Sequence, residues 1–78
     1  MEKLIMEVFN EFEINTKFTR ETSLDELGIS SITILEMIVT FEEKYGFTFD
    51  DNDLLQENFQ TIGTLMDLLE KYIKKRDN

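Results

Sequence analysis

The sequence predicts an all-α fold: a small four-helix bundle, three main helices plus one short helix, with a long first loop. Three observations carry this. The 78 residues include no proline and only three glycines, a composition that favours helices. Three stretches place apolar residues at spacings of three and four. Hydroxyl residues and glycines stand where those stretches begin and end. Residues 1–78 are expected to form one domain. At this length only about 60% of the unfolded surface is buried on folding, so a large enclosed active site is not expected.

The first helix is predicted over residues 2 to 12. Leu4, Ile5, Val8, Phe9 and Phe12 share one side, and Glu2, Lys3, Glu7 and Glu11 the other. The connection from Glu13 to Ser30 is longer than the roughly 12–15 residues usual in a compact domain. Its apolar members Phe18, Leu24, Leu27 and Ile29 are expected to pack on the core, with Thr22 to Gly28 forming one short helical turn ended by Gly28. The second helix runs from Ser31 to Tyr45, with Gly46 as its stop, and Phe47-Thr48-Phe49 is a short extended link. Asp50-Asp51-Asn52-Asp53 caps a brief third helix through Asn58. Thr61 is the N-cap of the last helix, whose buried side is Ile62, Leu65, Met66, Leu69, Tyr72 and Ile73. Lys71, Lys74, Lys75 and Arg76 complement its C-terminal dipole.

Eight basic and seventeen acidic residues give a net charge of −9. That excludes nucleic acid, which requires basic patches, and docking to anionic membranes. It favours partners with basic surfaces. With no cysteine and no histidine, thiol nucleophiles, His-based triads and common zinc sites are excluded; no catalytic and no metal-binding residue is assigned. The amphipathic, acid-bearing start is not a signal peptide, and no apolar run approaches the roughly 20 residues that span a bilayer. A cytoplasmic monomer is expected.

Two features of the second helix stand out. It opens on the pair Ser30-Ser31 after Gly28-Ile29. Free N–H groups and the positive dipole end make such a place suited to a phosphate, while serines there also simply cap helices. It also carries two apolar stripes: Ile34, Met37, Ile38, Phe41 and Tyr45, and, a quarter-turn away, Ile32, Leu35 and Val39 beside Glu36, Glu42 and Glu43. One stripe suffices for a small bundle, so the second is expected to face solvent, as an apolar strip rimmed by carboxylates.

Leu27-Gly28-Ile29-Ser30-Ser31-Ile32-Thr33-Ile34-Leu35-Glu36 resembles the motif of the acyl carrier protein family, usually Leu-Gly, a variable residue, then Asp-Ser-Leu and a glutamate four residues later. Phe41-Glu42-Glu43-Lys44-Tyr45-Gly46 is similar to the family's acidic end of helix two, and Phe59-Gln60-Thr61-Ile62-Gly63-Thr64-Leu65 to the opening of its last helix. The resemblance implies that Ser31 carries 4′-phosphopantetheine as a phosphodiester, taken from coenzyme A by a phosphopantetheinyl transferase with a divalent metal. It implies acyl groups borne as thioesters on that arm, for enzymes of fatty-acid, polyketide or related biosynthesis. Ile32, Leu35, Glu36, Val39, Glu42 and Glu43 match the recognition helix gripped by acyl-loading and acyl-processing enzymes with basic docking surfaces. Ser30 replaces the usual aspartate and keeps the role of helix cap, and Thr33 stands where many members have an acid; both departures suit a specialised member.

Other readings compete. A helical adaptor without prosthetic group would use the same strip and need no particular serine. An aminoacyl or peptidyl carrier would use the same arm. Asp50 to Asp53 suggests calcium, but from Asp51 the fifth and sixth loop positions are Leu55 and Gln56, which breaks the EF-hand pattern. If cargo entered the core, Ile34, Phe41 and Ile62 would line its cavity; the preferred reading is that they are plain core.

Overall fold

The apolar stripes become three α-helices: α1 (Glu2–Glu11), α2 (Ser31–Tyr45) and α3 (Ile62–Asp77). The computed structural model describes the backbone of residues 2–77 and the side chains of residues 2–73; Lys74, Lys75 and Arg76 as dipole-complementing side chains lie outside the latter. One core collects Ile5, Val8 and Phe9 from α1, Met37, Ile38 and Phe41 from α2, and Ile62, Leu65, Met66, Leu68 and Leu69 from α3. Leu68 joins this core although it is absent from the predicted stripe. The first loop contributes Leu24 and Ile29, with Phe18 and Leu27 packed against them. Phe18 meets Phe9 edge to face at 5.5 Å.

α1 stops one residue earlier than expected. Ile14 N–H donates to the Phe9 carbonyl at 2.8 Å and Glu13 N–H to that of Asn10 at 3.1 Å, closing the helix with Glu13 at φ 59°. The segment from Thr22 to Gly28 is a turn and falls short of a helix. Ser23 and Glu26 satisfy each other's N–H groups reciprocally, at 3.0 and 3.2 Å. Gly28 then takes φ 74°, a left-handed conformation that a side chain disfavours, and lets Ile29 N–H reach the Leu24 carbonyl.

The predicted short helix resolves into two 3-10 turns, Asp51–Asp53 and Gln56–Phe59. Asp50 caps the first by accepting Asn52 N–H at 2.9 Å. The Asn58 side chain donates to the Asp53 carbonyl at 2.7 Å, and Leu55 is extended, so the helical ladder cannot continue between the turns. Among the described residues no strand forms, only an isolated antiparallel bridge between Ser23 and Thr61.

That bridge belongs to a seam joining the first loop to α3. A helix start leaves N–H groups unpaired; here Ile62 N–H donates to the Thr22 carbonyl and Gly63 N–H to that of Arg20, both at 2.9 Å. Thr61 caps the same helix by accepting Thr64 N–H at 3.2 Å. Gly63 is required by close approach: a Cβ there would lie 3.0 Å from the Arg20 carbonyl oxygen. The Arg20 guanidinium crosses to both carboxylate oxygens of Asp67, at 3.0 and 3.1 Å. At the far end, Tyr45 donates to Glu7 at 2.9 Å and Lys44 pairs with Glu11 at 3.1 Å, tying α2 to α1. No helix among the described residues is long and apolar enough to cross a membrane.

Candidate functional site

The start of α2 is built from three hydroxyl residues. Ile29 is buried and anchors the approach. Ser30 is extended (φ −79°, ψ 169°), and its Oγ accepts Thr33 N–H at 3.3 Å while lying 3.2 Å from the Thr33 hydroxyl. The N-cap is thus a Ser–Thr pair, and Thr33 is a member that the sequence reading did not include. A hydroxyl three residues after a serine cap was its available signal. Ser31 is the first residue of α2 and is exposed, and its hydroxyl has no hydrogen-bond partner among the described residues. The first turn of α2 contains no acidic residue. A phosphate ester on Ser31 fits this place: it would meet the positive helix end and its free N–H groups with no carboxylate in the same turn.

Below Ser31 the second apolar stripe faces solvent. Ile32, Leu35 and Val39 are 71%, 63% and 49% exposed, whereas Met37, Ile38 and Phe41 of the first stripe are buried. Glu36 and Glu43 are exposed beside the strip. Glu42 is placed differently: it is half-buried, and its carboxylate accepts Phe49 N–H at 2.8 Å, holding the link that follows α2. Sequence spacing puts all three glutamates together; the tertiary hydrogen bond separates one from the rest.

Beneath the first turn of α2, Leu24, Ile34, Met37, Ile38, Phe41, Phe59 and Leu65 line a small, partly open apolar cleft. Ile34 and Phe41 line it as the cavity reading required. Ile62 is fully buried and is not part of the lining.

The acidic run after α2 is engaged structurally. Asp53 accepts from the Tyr72 hydroxyl and from Lys71 at 2.9 Å, and these two bonds, Tyr72 first, hold its carboxyl below the usual carboxylate range. The Tyr72 hydroxyl accepts Asp50 N–H at 2.8 Å. Among the described residues no group of three or more histidine, cysteine or acidic side chains comes together as a metal site.

Comparison with known proteins agrees with this geometry. Residues 3–69 match the family model described as "Phosphopantetheine attachment site". The acyl carrier protein of Chlamydia muridarum is 29% identical over 73 residues, covering 91% of this chain and 87% of that protein. That of Thermotoga maritima is 33% identical over 57 residues, covering 72% and 68%. A chain in the crystal structure of Bradyrhizobium japonicum glycine:[carrier protein] ligase complexed with glycylated carrier protein superposes with a TM-score of 0.73 at 25% identity, over 85% of this chain and 93% of that one.

Proposed function

This chain belongs to the acyl carrier protein family, a carrier protein with a phosphopantetheine attachment domain, and from that premise we propose that Ser31 is its attachment residue. The observation that supports the choice most is the difference between two adjacent serines: the Ser30 hydroxyl is bound to Thr33, while that of Ser31 is exposed and unbonded among the described residues. In the proposed step the Ser31 oxygen attacks the β-phosphorus of coenzyme A. A phosphodiester bond forms, the pyrophosphate bond breaks, adenosine 3′,5′-bisphosphate leaves, and the serine proton passes to a base of the transferase. The arm supplies a terminal thiol for thioesters. The chain, with no cysteine, offers no competing thiol.

The chain acts as one domain and a monomer. Loading and processing enzymes, as well as the phosphopantetheinyl transferase, dock on Ile32, Leu35 and Val39. Glu36 and Glu43 steer basic partner surfaces to that strip. Glu42 contributes its charge from the edge while holding Phe49 N–H. Fatty-acyl or polyketide-type cargo is the first reading; aminoacyl cargo is the second, favoured by the likeness to the glycylated carrier complex.

Incubation with coenzyme A, magnesium and a broad-range transferase, followed by intact mass measurement, tests this. One added phosphopantetheine on the wild type and none on Ser31→Ala is expected. Several transferases failing on the wild type would favour an adaptor without a prosthetic group.

A further inference from the structure

We infer that the transferase loading Ser31 covers that residue with an uncharged, largely apolar surface and holds no cation over the first turn of α2. The inference rests on attachment at Ser31 and narrows the chemistry of the partner. Charged residues make up 32% of the chain, yet two stretches of nine residues, 27–35 and 58–66, carry none. The second stretch is turned inward, and Gln60 is its one exposed member. The first stays at the surface: Gly28, Ser30, Ser31, Ile32 and Leu35 are exposed. Ile32 and Leu35 are the most exposed large apolar side chains among the described residues. Along the chain, exposed carboxylates stand at the borders of this uncharged window, Asp25 and Glu26 before it and Glu36 after it.

Attack on coenzyme A brings the Ser31 oxygen within about 3–3.5 Å of the phosphorus, so the enzyme must lie against this window. A lysine or arginine of the enzyme placed there would lose its water against Ile32 and Leu35 and find no partner. The Ser30 Oγ already accepts Thr33 N–H at 3.3 Å and lies 3.2 Å from the Thr33 hydroxyl. The first turn of α2 contains no acid, and its positive end repels a cation. An apolar surface loses nothing here and gains contact with Ile32 and Leu35. Basic residues of the enzyme belong farther out, opposite Glu36 and Glu43. The window therefore refuses an enzyme that holds a cation over the serine, because that charge would be left unpaired. Ser30 determines this specificity. A carboxylate at its position would supply the missing partner with no loss of the helix cap, since Asp and Asn cap about as well as Ser.

Exchange at Ser30 tests this. Among several phosphopantetheinyl transferases, the one with the highest kcat/KM on the wild-type chain serves as the probe. Its kcat/KM is then compared on Ser30→Asp and Ser30→Asn, which differ in charge and hardly in shape. Ser30→Asp is expected to fall below Ser30→Asn by about fivefold or more, because the added carboxylate is desolvated against a neutral surface. A smaller ratio, or a Ser30→Asp that is the better substrate, overturns the inference. Both variants keep a cap, and urea denaturation checks that they fold. Ile32→Glu against Ile32→Gln repeats the comparison at an exposed position outside the cap, with the same result expected. Intact mass separates the two readings. A wild type that takes no adduct from any transferase overturns attachment at Ser31 and this inference with it; an adduct on Ser31 with the wrong ratio overturns this inference alone.

Discussion

The Oγ of Ser30 lies 3.3 Å from the amide nitrogen of Thr33 and 3.2 Å from the Thr33 hydroxyl. This pairing makes Ser30 a structural residue. Loss of such a cap costs about 1 kcal/mol, so Ser30→Ala should lower the urea midpoint accordingly while the chain still accepts phosphopantetheine. Ser31→Ala, at an exposed and unbonded position, should change stability by less than about 0.5 kcal/mol.

Two glycine exchanges should act in opposite directions. Gly63→Ala gains about 1 kcal/mol of helix propensity but places a Cβ 3.0 Å from the Arg20 carbonyl, which the Gly63 N–H also holds. Overpacking costs about 1–3 kcal/mol, so a net loss of about 1 kcal/mol is expected. Glu13→Gly relieves a left-handed backbone at φ 59° and should stabilise by about 1 kcal/mol. Chemical denaturation of both variants checks the signs.

Three glutamates that look equivalent along α2 should separate on mutation. Glu42→Ala removes the acceptor of Phe49 N–H and should destabilise by about 1 kcal/mol. Glu36→Ala and Glu43→Ala should stay within about 0.5 kcal/mol. In a transferase assay, Ile32→Ala should lower kcat/KM about tenfold, or about 1.4 kcal/mol, with the fold intact. Glu36→Lys should mainly slow association and weaken its dependence on salt.

Burial, and then the hydrogen bond to Glu7, push the Tyr45 phenol up to about 12. The folded chain holds this proton more tightly than the unfolded chain, where a phenol ionises near 10. The resulting stabilisation is fully present below about pH 10 and is lost as the pH rises through about 12. Denaturation curves across that window should show the loss in the wild type, and a shallower fall in Tyr45→Phe.

What the sequence made legible was local. Thr61, Ser30 and Gly46 end or open helices through bonds a few residues long, and the stripes of α2 follow from its period, so the exposed Ile32, Leu35 and Val39 could be named in advance. The reciprocal Ser23–Glu26 box has the spacing of a capping box, a signal that the expectation of one short helical turn over Thr22 to Gly28 did not use. What escaped depends mainly on contacts distant in sequence. Gly63 matters because of the Arg20 carbonyl, more than forty residues away along the chain. The third helix fails for a local reason that spacing alone does not announce: the Asn58 side chain takes the Asp53 carbonyl. The Asp50 to Asp53 run, which resembles a cation loop along the chain, is held by Lys71 and Tyr72 from α3.

The choice between the two serines is tested most directly by tandem mass spectrometry of the wild-type chain after transfer from coenzyme A. Fragment ions on either side of the Ser30–Ser31 bond should place the whole phosphopantetheine increment on Ser31. An increment on Ser30, or one that survives in Ser31→Ala, would contradict the assignment.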